Sequence, residues 1–180
     1  MKIPSSHVVQ MIFDSPLGQL HVAAKTPEVL LGVWFADQRH APIQLQGEHA
    51  WPVAQTEDAA YALLGEARQQ IIQYLNGQRR LFELPLGLEK QGTLFQQSVW
   101  RGLCAIPYGH TASYGELSQR IGRAAAVRAT GGAVGRNPWT LLVPCHRIIG
   151  SNGALTGYAG GLARKQALLE LENAQATRGV

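Results

Sequence analysis

The hydrophobic pattern divides the chain into two parts with different periods. Val8 to Phe13, Gln19 to Ala24 and Val29 to Phe35 are short apolar runs, and Asp14-Ser15-Pro16-Leu17-Gly18 carries turn chemistry between the first two. They predict three strands. Residues 36–55, with Pro42, Gly47 and Pro52, predict irregular chain. Ala60, Leu63, Leu64, Ala67, Ile71 and Leu75 then recur at helical spacing, from a start at Thr56 with Glu57 and Asp58 in the first turn to a close at Asn76-Gly77. Leu81 to Leu86 reads as a further strand, and Gly87 to Gly92 as a linker.

Beyond the linker the period is helical. Thr93-Leu94-Phe95-Gln96 is a capping box, and Phe95, Val99, Leu103 and Ile106 share one face until Pro107-Tyr108-Gly109 stops the helix. Ser113-Tyr114-Gly115-Glu116 is a second capping box, continued by Leu117 and Ile121 and ended by Gly122. A further helix from about Ala124, with Ala125, Ala126, Val127, Ala129 and Ala133 among its residues, completes a pair with the spacing of a helix-turn-helix. In the last helix, from Leu162, an arc drawn through Leu168, Leu169 and Leu171 at about 100° per residue also contains Glu172 and Lys165, whereas Glu170 falls opposite. A carboxylate on an apolar face needs a partner. The expected fold is an α/β (α+β) N-terminal domain with a short antiparallel sheet, residues 1–88, followed by a mainly helical C-terminal domain, residues 89–180, containing a helix-turn-helix.

Composition narrows the function. Of 180 residues, 46% are hydrophobic and 16% charged, with a formal net charge of +4, a mild basic bias compatible with a polyanionic partner. Two cysteines without Cys-x-x-Cys spacing argue against a disulfide framework or a Cys-rich zinc site. No signal peptide and no bilayer-length apolar run is visible, so a cytoplasmic protein without membrane contact is expected.

The chemistry concentrates at Leu141-Leu142-Val143-Pro144-Cys145-His146-Arg147-Ile148-Ile149, where two apolar runs enclose Pro-Cys-His-Arg. A lone cysteine in an apolar run is more often packing, and Cys104, between Leu103 and Ala105, reads as core. Cys145 differs because His146 can take its proton and Arg147 can favour the thiolate. In the second helix of the pair, Gly131 and Gly132 suit close approach to a narrow groove, with Arg128 as the one long side chain available as a wedge.

These blocks, together with Val99-Trp100, Ile106-Pro107-Tyr108-Gly109, Asn137-Pro138 and Gly157-Tyr158-Ala159-Gly160-Gly161, resemble the O6-alkylguanine-DNA alkyltransferases, in the order of that family. The likeness runs from Gly92 to about Glu172; before it, the likeness is confined to general pattern, mainly the Ser15-Pro16-Leu17-Gly18 turn. The resemblance implies direct DNA repair: minor-groove binding of double-stranded DNA carrying O6-alkylguanine, rotation of the lesion out of the duplex, and one irreversible alkyl transfer to cysteine, with O4-alkylthymine as a second substrate. It implies that residues 1–88 are an RNase H-like scaffold. It makes Cys145 the acceptor, His146 its base through water, Glu172 the group orienting His146, and Asn137 the tie between the helix pair and the reactive segment. Tyr114 would rotate the nucleotide and protonate the leaving guanine. Ser113, Tyr114, Gly115, Arg123, Ala126, Arg128, Gly131 and Ser151 would meet DNA. Tyr114, Val143, Pro144, Ile148, Gly157, Tyr158, Ala159, Gly160 and Lys165 would line the base pocket, with Lys165 near the thiolate or DNA unless its stem snorkels to water. Gly157 and Ala159 are small enough to suggest alkyl groups larger than methyl, whereas Trp139-Thr140 departs from many relatives and leaves one wall of the pocket open. No cofactor and no metal are expected, and the partner is DNA bound by a monomer, with cooperativity left open. Two other readings are a lesion-recognition protein without transfer, disfavoured by Cys145, and a thiol hydrolase using the Cys-His pair, which leaves the helix pair unexplained.

Overall fold

The computed structural model describes residues 8–176. The chain folds as two compact units, Met1–Gly87 and Leu88–Val180.

In the first unit, β1 (Val9–Ser15), β2 (Gly18–Thr26) and β3 (Val29–Phe35) form an antiparallel meander. Register pairs Phe13 with Leu20 and Val22 with Val33, so Phe13, Leu20, Val22, Val33 and Phe35 share one buried face. Helix α1 (Tyr61–Leu75) packs on β1 and β2, and its Arg68 guanidinium lies 5.9 Å from the Phe13 ring centroid. The other face carries Ala23 and Trp34 beneath Leu45, with Trp51 6.1 Å from Trp34. The irregular stretch 36–55 is thus a lid on the sheet, pinned where Gln10 Nε2 donates to the carbonyls of Trp51 (2.7 Å) and Leu45 (3.3 Å).

Two expectations for this unit change. Helix α1 starts at Tyr61 rather than Thr56, because the Asp58 carboxylate accepts from Gln55 N at 2.7 Å and closes a turn ahead of the helix. Leu81 to Leu86 is not a strand but a single bridge, Leu30 to Leu86, and Pro85 within it has no amide to extend a ladder.

His21 lies on the lidded face, 1% exposed, with Nδ1 2.8 Å from Gln10 Oε1 and, among the described residues, no hydrogen-bond partner at Nε2. Burial pushes its pKa down, so the folded chain binds fewer protons than the unfolded one. Its contribution is complete above the unfolded value near 6.5 and declines as pH falls below it. His21→Gln is therefore expected to flatten the dependence of the urea midpoint on pH below about 6.5, and an unchanged slope would refute this.

In the second unit, α2 (Leu94–Cys104) opens on a complete capping box: Gln96 N donates to Thr93 Oγ1 at 3.2 Å and Thr93 N donates to Gln96 Oε1 at 2.9 Å. Gly92 precedes it at φ +69°, and a Cβ there would sit 2.6 Å from the Trp100 ring. Cys104 is exposed rather than core, since it lies one residue past Leu103 and off the Val99–Leu103 stripe. Strand β4 (Ala112–Ser113) leads directly into α3 (Tyr114–Arg120), whose cap Ser113 accepts from Glu116 N at 3.1 Å while Ser113 N donates to Glu116 Oε2 at 2.7 Å. Helix α4 (Val127–Gly135) begins later than expected because Ala124–Ala126 form a 3₁₀ turn. The Ser118 and Thr130 hydroxyls meet at 2.8 Å between α3 and α4, and Trp100 Nε1 donates to Ala133 O at 3.1 Å between α2 and α4. Strand β5 (Ile148–Ile149) pairs in parallel with β4, and α5 (Leu162–Ala176) closes the unit. Among the described residues no helix is long and apolar enough to cross a membrane.

Candidate active site

Pro144, at φ −79° and ψ 62°, forms an inverse γ-turn in which Cys145 N donates to Val143 O at 2.8 Å. Residues Cys145–Arg147 continue as one 3₁₀ turn, and β5 follows immediately. Because β5 pairs with β4, and β4 ends on the cap of α3, the reactive turn is in register with the start of that helix: Ser113 lies beside Ile149.

Asn137, just beyond α4, is 3% exposed and holds the turn from the other side. Its Nδ2 donates to Val143 O at 2.8 Å and to Cys145 Sγ at 3.2 Å, while its Oδ1 accepts from Trp139 N at 3.0 Å. One amide therefore fixes the γ-turn carbonyl and the thiol sulfur together. Trp139 is fully buried and packs edge-on to Trp100 at 5.4 Å and 84°, so its bulk supports Asn137.

The three residues of the 3₁₀ turn point in different directions, as about 120° per residue requires. His146 is fully buried with Nε2 2.8 Å from Glu172 Oε1. A carboxylate can only accept, so Nε2 carries the hydrogen of a neutral ring and Nδ1 carries the lone pair. Arg147 turns to the same carboxylate: Nε lies 3.0 Å from Oε2 and 3.1 Å from Oε1, and NH2 lies 2.9 Å from Oε1. Gly109 N supplies another donor to Oε2 at 3.0 Å.

Burial pushes the Cys145 thiol above its usual value, partly offset by the Asn137 amide and the Lys165 ammonium. The resting thiol is thus protonated and needs a base. Burial pushes His146 down, against the pull of Glu172, so the ring is neutral and able to act as that base. The expectation that Arg147 favours the thiolate gives way here: the cation acting on Cys145 is Lys165, from α5. Lys165, Leu168 and Glu172 are each 0% exposed, which places the lysine and the carboxylate on the inner stripe of α5. Lys165 does not snorkel. Its Nζ donates to the carbonyls of Ile148 and Thr156, joining β5 to the loop before α5, and burial lowers its pKa to about 8.

Two sequence families are matched in tandem. Residues 8–88 match the 6-O-methylguanine DNA methyltransferase ribonuclease-like domain, and residues 94–174 match the 6-O-methylguanine DNA methyltransferase DNA-binding domain. A methylated-DNA–protein-cysteine methyltransferase of Mycolicibacterium paratuberculosis is 45% identical over 88% of each chain. The chain belongs to the 6-O-methylguanine DNA methyltransferase family. A Bacillus subtilis inducible member is 53% identical over 57% of this chain and 56% of its own. The solved structure of Mycobacterium tuberculosis OGT in complex with DNA superposes with a TM-score of 0.78 at 40% identity, covering 94% of each chain.

Around this centre the other expected residues fall into two groups. Tyr114, first in α3, lies with its ring 3.7 Å from the Cβ position of Gly131 and its hydroxyl 3.5 Å from that of Gly157, which brings α3, α4 and the loop before α5 to one place. Val143, Pro144, Ile148, Tyr158 and Gly160 are buried, and Ala159 is half-buried. Among the described residues the Tyr158 hydroxyl has no hydrogen-bond partner, and its pKa is raised well above the usual value by burial and by Cys145. Arg123, Arg128, Ser151 and Gly157 are exposed, whereas Ser113, Gly115, Ala126 and Gly131 are half-buried. Sequence reasoning misses the hold on Glu172 by Arg147 and Gly109. Adjacency in Pro-Cys-His-Arg points Arg147 at the wrong partner, and Ile106-Pro107-Tyr108-Gly109 signals only a helix stop.

Proposed function

We propose that the chain repairs DNA by transferring the alkyl group of O6-alkylguanine to Cys145, once per molecule. The observation that carries this is a buried thiol held by the Asn137 amide and followed by a neutral histidine whose far nitrogen is fixed on Glu172. The thiol proton passes to His146 Nδ1 through water, and Sγ forms a bond to the alkyl carbon. The carbon–O6 bond breaks, the guanine leaves with its electron pair, and Tyr114 returns a proton to it. The resulting thioether has no good leaving group, so the molecule is spent.

A stacked base keeps its O6 substituent out of line with any side chain, so the nucleotide is rotated into the pocket beside Tyr114 and Tyr158. Helices α3 and α4 act as a helix-turn-helix in the minor groove, with Ser113, Gly115, Arg123, Ala126, Gly131 and Ser151 toward DNA and Arg128 filling the vacated stack. Asn137 couples this pair to the reactive turn. In this reading the chain works on DNA as a monomer in the cytoplasm, accepts O4-alkylthymine as well, and needs no cofactor. Incubation with an O6-methylguanine duplex is expected to add one methyl group to the intact mass and never a second, with none on Cys145→Ala. Tight binding to the lesion without added mass would favour lesion recognition instead, and repeated turnover would favour a hydrolase.

A further inference from the structure

We infer that Arg147 is a positioning residue for the transfer, whose guanidinium fixes and neutralises the Glu172 carboxylate so that His146 is held as a neutral base. The inference rests on the proposed function and assigns a device within it. Arg147 is bound on every side. Its Nε and NH2 fork both Glu172 oxygens at 2.9–3.1 Å, NH1 donates to Ile106 O at 2.6 Å, and the guanidinium lies 5.7 Å from the Tyr108 ring centroid. The segment that ends α2 therefore grips both members of the ion pair, since Ile106 O takes the arginine and Gly109 N takes Glu172 Oε2.

The charge arrangement explains why the arginine is needed. A buried carboxylate on Nε2 by itself favours imidazolium, and an imidazolium cannot take the thiol proton. Burial is the largest influence holding His146 neutral; Glu172 pulls it toward the charged form, and Arg147 from the same turn and Lys165 from α5 add to the opposition. Cys145 is the remaining titratable neighbour on the turn, and Tyr108 and Cys104 face Arg147 from the α2 side. Glu172 can thus orient the ring without holding it protonated. An arginine fork suits this better than an ammonium because it engages both oxygens in one plane.

The test uses the full chain with histidine isotopically labelled. Two neutral variants are made: Arg147→Met, and Arg147→Gln, which keeps a donor toward Glu172 should the first not fold. The His146–Glu172 pair then takes up a proton at higher pH, and whichever member holds it, Nδ1 no longer accepts from the thiol. The acidic limb of the methyl-transfer rate is expected to move up by about one pH unit or more, with the His146 nitrogen shifts moving in parallel, because each unit reflects a tenfold change in proton affinity. Arg147→Lys, which restores the charge, is expected to return both readouts most of the way. A folded neutral variant whose limb and His146 titration match the unmodified chain overturns the assignment, as does a lysine that restores neither. The nuclear magnetic resonance titration needs no DNA, so it decides Arg147 even if the unmodified chain transfers no alkyl group.

Discussion

Glu172→Ala is expected to lower stability by about 3–5 kcal/mol, the cost of stripping one partner from a buried ion pair. The carboxylate is 0% exposed and receives His146, both sides of the Arg147 fork and Gly109 N. Removing it leaves a guanidinium, an imidazole and an amide facing a cavity that can supply none of their acceptors. Transfer should fall as well, by about 10²–10⁴-fold, because Nε2 loses the acceptor that sets the tautomer and Nδ1 is no longer committed as the base. Urea denaturation and quenched-flow transfer to Cys145 measure the two effects. A stability change under about 1 kcal/mol would mean that water replaces the carboxylate, against the burial of this network. Glu172→Gln should fall between, since its amide keeps one acceptor but presents donors to Arg147.

The same network shows how far the sequence can be read. The inner stripe of α5 is a local property of 3.6-residue periodicity, so Glu172 and Lys165 can be assigned to the buried face before any tertiary contact is known. Both capping boxes are equally local and form as their spacing demands. The three strands are visible because each is a contiguous apolar run. What the pattern cannot supply is contact between distant segments. Arg147 is adjacent to Cys145 in sequence, but the 3₁₀ turn sends successive side chains apart, and its partners lie 25 and 41 residues away. Lys165 finds carbonyls at Ile148 and Thr156 through the fold of the loop before α5, which has no periodic signal. Cys104 misleads because apolar neighbours in sequence do not decide which side of a helix a residue occupies. The start of α1 misleads because Asp58 serves a turn in place of the helix.

Methylation of Cys145 is itself expected to destabilise the chain, by about 1–3 kcal/mol, which is the usual cost of adding volume to a packed interior. Cys145 is 4% exposed, between the Asn137 amide and the residues of its own turn. A methyl on Sγ needs room in an interior where Val143, Ile148 and Tyr158 are all buried. It also replaces the thiol whose sulfur accepts from the Asn137 amide with a bulkier thioether crowded against that buried donor. The strain is not confined to the sulfur. Asn137 Nδ2 serves Val143 O as well as Sγ, so displacement of the sulfur loosens the γ-turn, and Asn137 is the residue after the C-cap of α4. The damage therefore travels toward the helix pair proposed to hold DNA. At about 2–4 °C per kcal/mol for a chain of this size, the melting temperature should drop by roughly 2–12 °C after a stoichiometric reaction, with DNA removed before the scan. Asn137→Ala supplies the comparison. It breaks the same tie without filling the site, so methylation should destabilise this variant less than the unmodified chain. Equal losses in both would place the cost in volume alone, and no loss in either would refute the coupling between the spent sulfur and the fold.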